Sequence, residues 1–459
     1  MRNIIILFTI IAFPFILKAK ETIVSGSVSG AEGQIIRMIA YDDFISRKLI
    51  TLDSENINAD GTFSFEFDIE ETIMAYLDIN YQRAEIFLEP GEAYRVEVKY
   101  DRDNHLASYF DRQGLVYDFI RPDDDNINLL IWKFNKIYNT FVMTDFEQVS
   151  RMKDKDRITE FKAEVEAAFP ENHNEYLENY ITYKIAGMEQ YARIKGKAQL
   201  AADYFTGKPV LYNNVEYTFF FNEFFQKFLI TSPDVITISD LIIAVNDNAD
   251  LKPVDEALSG LSWLGDDGFR ELVLLHGMKE LYYNSTYKKP RVIEMIRSIK
   301  DHTSDAMHAK IAGNLLETMA ALSPGTPAPD LKLTGIAGQK FSLKNIKGKP
   351  ILLTFFRSGQ DGTANAFTRL SDLFAVYKSG LEIISVSMDN DPKAYIPLAN
   401  SGGYQWTFAH YGNDPQVFDL YNIKDLPMYV LIDVEGNIFL CPAPPPSEEL
   451  EKQIMKVIH

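Results

Sequence analysis

Thiol chemistry in this chain rests on one atom. Cys441, in Leu440-Cys441-Pro442, is the single cysteine among 459 residues. One thiol cannot close an internal disulfide, and dithiol exchange needs a second sulfur to resolve the mixed disulfide. Cys441 therefore reads as a lone, half-buried thiol or as half of a pair with another protein. The histidines, His105, His173, His276, His302, His308, His410 and His459, form no HxxH, HxxxH or HExxH pair, so no zinc site is expected. Asp123-Asp124-Asp125 and Asn246-Asp247-Asn248-Ala249-Asp250 concentrate oxygen ligands. Neither has the spacing of a calcium loop with its glycine and closing glutamate, and both read as solvated acidic loops. A GxSxG elbow and a phosphate-cradling glycine loop are missing as well. The expectation is a chain with no metal and no cofactor.

The elements that would position any site fall into three blocks, because 459 residues are too many for one core. Residues 20–104 alternate apolar and polar, as in Ile23-Val24-Ser25-Gly26-Ser27-Val28 and Phe63-Ser64-Phe65-Glu66-Phe67, with turn signals at Asn58-Ala59-Asp60-Gly61 and Glu89-Pro90-Gly91-Glu92. An antiparallel β-sandwich follows from that pattern. Residues 105–322 switch to helical spacing, with Leu130, Phe134, Ile137, Tyr138 and Phe141 as one stripe and Ile158, Phe161, Val165 and Phe169 as another. The Phe-dense run from Tyr217 to Phe228 and the scattered Met188, Met278, Met295 and Met319 read as core of this helical domain. Ser323-Pro324-Gly325-Thr326-Pro327-Ala328-Pro329 is a stiff linker. Beyond it, strand and helix alternate through residues 323–459: Ile351–Phe356, a helix stopped by Gly380, Leu381–Met388, a helix starting at Pro392, a hairpin about Val434-Glu435-Gly436-Asn437, and a last helix from Ser447.

Composition bounds the partners. The formal charge, 46 − 65 = −19, argues against non-specific nucleic-acid binding, which relies on Lys and Arg neutralising phosphates. Residues 1–19 read as a secretory signal: Arg2 leads, Ile4 to Leu17 are nearly all apolar, and Ala19 is small enough for cleavage. An uncleaved anchor is the alternative, although the stretch is shorter than the roughly 20 residues a spanning helix needs. No later segment is apolar enough to span.

Several motifs of the last block together resemble TlpA/ResA-like and AhpC/TSA-related thioredoxin domains. They are Gly325-x-Pro327-Ala328-Pro329-Asp330, Lys347-Gly348-Lys349-Pro350, the strand Ile351-Leu352-Leu353-Thr354-Phe355-Phe356, and Tyr421-Asn422-Ile423-x-x-Leu426-Pro427 followed by Leu431-Ile432-Asp433-x-x-Gly436. The resemblance implies an α/β thioredoxin-like fold, a reactive Cys-x-x-Cys after the first strand, and a cis proline whose preceding residue meets an extended peptide. Aligned from Phe355-Phe356, the two cysteine positions fall on Gln360 and Thr363. Neither side chain forms a thiolate, so a catalytic role is not expected, and Asp361 or Thr363 suits a helix N-cap instead. Pro427 is retained, either because its turn requires it or because Leu426, Pro427, Gln360 and Asp361 still bind peptide by strand addition. The block order is similar to exported proteins of Bacteroidetes-type bacteria. The reading that follows is a redox-inactive envelope or periplasmic protein binding peptide or protein segments. The alternatives are an oxidoreductase using Cys441 or a partner's thiol, and a purely architectural protein.

Overall fold

The computed structural model describes residues 20–79, 82–100, 115–170, 174–360, 362–389, 391–412, 416–423 and 425–458. The expected signal segment 1–19 and Asp361 lie outside the described residues.

Period-two alternation builds the first block. Its strands are β1 (Lys20–Ser29), β2 (Ile35–Tyr41), β3 (Leu49–Asn56), β4 (Thr62–Ile69), β5 (Ile73–Ile79), β6 (Gln82–Leu88), β7 (Ala93–Lys99) and β8 (Val116–Phe119). They form two four-stranded sheets ordered β4-β1-β7-β8 and β3-β2-β5-β6. Phe63 and Phe65 on β4, and Tyr94, Val96 and Val98 on β7, point into the shared core while their neighbours face solvent. Two expectations need correcting. The sandwich is not wholly antiparallel, because β1 and β7 run parallel from Ile23↔Ala93 to Ser29↔Lys99. Between them the chain visits the facing sheet, so no hairpin sets their relative direction. The sandwich also continues past residue 104, since β8 pairs with β7 from Lys99↔Val116 to Val96↔Phe119, and helix begins only at Ile127. A four-residue strand alternates too briefly to stand out in sequence.

The edges of these sheets are covered by side chains. On β3, Asp53 Oδ2 accepts from the Glu66 N–H at 3.1 Å, and Glu55 accepts from Ser64 N–H, both donors on β4. Along β6, Leu115 N–H donates to Arg83 O at 2.9 Å and the Tyr117 hydroxyl to Glu85 O at 2.7 Å. Asn128, fully buried, takes both backbone groups of Phe87: it accepts from the N–H at 2.7 Å and donates to the carbonyl at 2.8 Å. An unpaired strand edge would otherwise invite another chain.

The helical block runs from helix Ile127–Thr144 to helix Ala306–Ala320. The Phe-dense run is core, as expected: Phe220, Phe221, Phe224, Phe225 and Phe228 are buried, with Phe205 stacked on Phe220 at 5.0 Å between centroids. Met188, Met278, Met295 and Met319 are buried too. The 246–250 segment is corrected from a solvated loop. Ile243–Asn248 is a π-helix, and buried Asn246 donates to Thr286 O at 3.0 Å and accepts from Lys288 N–H at 2.7 Å.

The turn between β2 and β3 fastens the two blocks together. Ile45 inserts its side chain into the helical core, and Lys279 Nζ donates to the Ile45 carbonyl at 2.6 Å. Asn314 donates to Asp42 Oδ2 at 2.7 Å and Asp43 Oδ2 at 2.9 Å, while Lys310 Nζ sits 2.6 Å from Asp42. Hydrogen bonds to charged groups are each worth about 1.5–3 kcal/mol. Asn314→Ala is therefore expected to lower unfolding free energy by about 2–3 kcal/mol in urea titration; a change within error would remove this turn as a fastening.

Buried His276 adds an acid liability. It faces the Phe221 ring at 5.7 Å, and its Nδ1 has no hydrogen-bond partner among the described residues. Glu280 is 4.0 Å away, too far to offset desolvation, which drives the imidazole from 6.5 to about 3. The unfolded chain takes this proton near pH 6.5 and the folded chain only near pH 3. Stability from this group is thus complete above pH 6.5 and is lost as pH falls toward 3. Between pH 7 and about 4.5, wild type is expected to lose about 2–3 kcal/mol more than His276→Leu in urea titration. Parallel losses in the two proteins would contradict this account.

The last block is one seven-stranded sheet, ordered β10-β9-β13-β12-β11-β14-β15. Its strands are β9 (Lys332–Gly335), β10 (Lys340–Ser342), β11 (Ile351–Phe356), β12 (Glu382–Ser387), β13 (Thr407–His410), β14 (Met428–Ile432) and β15 (Ile438–Ala443). Every residue of central β11 is buried. Leu352 and Phe356 face a core with helices Thr363–Tyr377 and Glu448–Ile458, while Leu353 and Phe355 face the opposite core with Phe418 and Tyr421. This is the expected α/β thioredoxin-like arrangement. The helix expected at Pro392 begins instead at Ile396, where Pro397 occupies the first turn and needs no N–H partner. The linker is not free chain: Gly325 N–H donates to Ile438 O and Ile438 N–H to Thr326 O, both at 2.7 Å, and Ala328 N–H donates to Gly436 O at 3.0 Å. Among the described residues, no helix is long and apolar enough to cross a membrane.

Candidate functional site

Strand β11 delivers the chain at Phe356 to a short loop, and helix Thr363–Tyr377 leaves from it. Gly362 is the N-cap, at φ 86°, a left-handed conformation that glycine adopts without a Cβ penalty. Among the described residues no side chain caps the helix, which corrects the N-cap expectation for Thr363. Thr363 is instead the first helical residue, 1% exposed, and its hydroxyl donates back to Arg357 O at 3.0 Å. Asp361 lies outside the described residues. The loop's other end is tied to Asp389, whose carboxylate accepts from Ser358 N–H at 3.2 Å, Ser358 Oγ at 3.1 Å and Ser387 Oγ at 2.7 Å.

Gln360, half-buried, reaches across to the chain before β14. Its Nε2 donates to the carbonyl of Leu426, and Leu426 precedes Pro427 through a cis peptide bond. The Leu426 N–H donates to Asp425 Oδ1 at 2.8 Å. Both backbone groups that an extended peptide would meet therefore have partners inside the chain. The fold brings together Gln360, Leu426 and Pro427, as the sequence reading required, and leaves Cys441 out. Cys441 lies on β15, beyond β14 from the site strand, packed against the same core that holds Leu426. Burial pushes its thiol up to about 12, so at neutral pH it is protonated and no nucleophile.

Sequence reasoning missed the supports beneath the loop. His410, 3% exposed, accepts the Gly412 N–H on Nδ1 at 3.1 Å, which leaves the proton on Nε2 to donate to Asp389 O at 2.7 Å. Burial lowers its pKa, in keeping with a neutral ring. Nothing in the sequence distinguishes Asp389 from nearby Asp391; only the β12–β13 pairing, Ser387↔His410, reveals the contact. No group of His, Cys, Asp and Glu among the described residues could hold a metal.

A helix N-terminus favours an anion, and a thiolate there would be stabilised; the neutral amide of Gln360 gains little from it. The double variant Gln360→Cys/Thr363→Cys supplies the missing sulfurs on the half-buried and buried positions. It is expected to form an internal disulfide and to reduce insulin, with neither single variant doing so. Two free thiols persisting in the oxidised double variant would show that these positions are not the pair.

The AhpC/TSA family model matches residues 324–440. The thiol-disulfide oxidoreductase ResA of Geobacillus kaustophilus is 27% identical over 126 residues, which is 27% of this chain and 72% of that protein. ResA of Bacillus subtilis is 28% identical over 119 residues, 26% of this chain and 66% of the relative. Among solved structures, a putative thiol-disulfide oxidoreductase from Bacteroides vulgatus aligns with 26% identity and a TM-score of 0.29, covering 30% of this chain and 99% of that one. A thioredoxin-like protein from Bacteroides caccae aligns over 50% of this chain and 86% of its own, with 18% identity and a TM-score of 0.35. Residues 324–440 thus carry the AhpC/TSA family signature, in a thioredoxin-like domain similar to the ResA thiol-disulfide oxidoreductases but built into a chain with a single cysteine.

Proposed function

We propose that this is a redox-inactive, thioredoxin-like protein of the bacterial cell envelope that binds extended peptide or protein segments at the Leu426–Pro427 edge. One observation carries the reading: the side-chain amide of Gln360 sits on the Leu426 carbonyl. An amide N–H on a strand-end carbonyl is the contact that strand addition makes, and it needs no sulfur. The high pKa of Cys441, about 12, and its place on β15, two strands from β11, speak against a thiol mechanism within the chain. A purely architectural domain is the second reading, and it is favoured by the Leu426 N–H, which already donates to Asp425 Oδ1 at 2.8 Å.

The test uses the S-carboxymethylated insulin B chain, labelled with fluorescein, as an extended probe without a reactive thiol. Wild type is expected to show no insulin reduction above buffer, to bind the probe, and to bind it about 10-fold more weakly as Pro427→Ala. Robust insulin turnover would sink the redox-inactive assignment. Equal affinities, with both proteins folded by circular dichroism, would remove Pro427 from the binding edge and favour the architectural reading.

A further inference from the structure

We propose that Gln360 is a built-in occupant of the peptide edge, an autoinhibitory side chain that must leave the Leu426 carbonyl before any segment can pair there. This regulation rests on the peptide-binding reading above. The contact has the chemistry of the ligand it excludes. A glutamine side chain ends in a primary amide, and its N–H on a backbone carbonyl reproduces one rung of a strand ladder. One acceptor direction of the Leu426 carbonyl is thereby filled, and the Leu426 N–H is turned to Asp425 Oδ1. An arriving strand finds neither group free.

The loop is anchored on both sides of Gln360. Ser358 is tied to Asp389, and Thr363 is tied to Arg357 O. Between these anchors, Gly359 precedes Gln360 and Gly362 follows two residues later, and a Cβ at either glycine would meet nothing within 4 Å. The Gln360 backbone is itself held, its N–H on Arg357 O at 3.3 Å and its carbonyl on Thr363 N–H at 3.2 Å, so release needs only rotation of the side chain.

The displacement penalty is that of one neutral hydrogen bond, which corresponds to an affinity about 3- to 10-fold below that of the open edge. Two variants separate removal from reversal. Gln360→Ala deletes the amide. Gln360→Glu keeps the size but presents, at neutral pH, only acceptor oxygens to the Leu426 carbonyl, which repel it. Both are expected to bind the labelled, S-carboxymethylated insulin B chain about 3- to 10-fold more tightly than wild type. In full-length protein labelled with 15N-glutamine, the side-chain amide pair that vanishes in Gln360→Ala is expected to exchange with water at least about 10-fold more slowly than a free glutamine amide. Adding the probe is expected to remove that protection. Exchange at the free rate in wild type, or wild-type affinity equal to that of both variants, would overturn the occupant role while leaving the peptide reading in place. A protected amide with no probe binding by any of the three proteins would overturn the peptide reading, and with it the regulatory role of the contact.

Discussion

Backbone N–H and C=O groups that lose water must find partners, and sheets concentrate the problem at their edges. This chain meets it with side chains placed as surrogate strands. Asn128 takes both groups of Phe87, Asp53 and Glu55 cover donors on β4, and the 325–328 segment lies along β15. Gln360 on Leu426 belongs to the same series. The sandwich and the thioredoxin-like domain both carry such closures, and an edge left open would be sticky as well as unsatisfied.

In that setting the domain holds together with a single cysteine in the chain. The thioredoxin-like sheet is held by a strand buried at every position and by two cores, one on each face, and none of this involves sulfur bonding. The helix N-terminus that would have stabilised a thiolate keeps its geometry through Gly362, while Thr363 spends its hydroxyl on the loop carbonyl. The site has become a contact between two segments of one chain.

Patterns with a period were legible in the sequence. The alternation of Phe63 and Phe65, the stripe through Phe134 and Phe141, the Phe-rich core and the α/β order of the last block all follow from side-chain direction in strands and helices. Contacts without a period were not. Asn128 meets Phe87 across 41 residues and Gln360 meets Leu426 across 66, and nothing local marks either pair. The four residues of β8 are too few to alternate visibly, and the π-helix at Ile243–Asn248 looks like an acidic loop until its backbone bonds are seen. Pro427 and Gln360 were both found by resemblance, and the bond from the Gln360 amide to the Leu426 carbonyl only by geometry.

The stitched linker has a mechanical consequence. Helix Ala306–Ala320 ends at residue 320, and pairing with β15 begins at Gly325, so only residues 321–324 join the helical block to the last domain. Fully extended, four residues reach roughly 14 Å. The last domain is thus on a short leash. A pull along the chain would meet the bonds from residues 325–328 to Gly436 and Ile438, at the β14–β15 turn, before it reaches the sheet's interior. Tension would be borne by an edge of the domain that lies on the far side of β14 from the Gln360 loop.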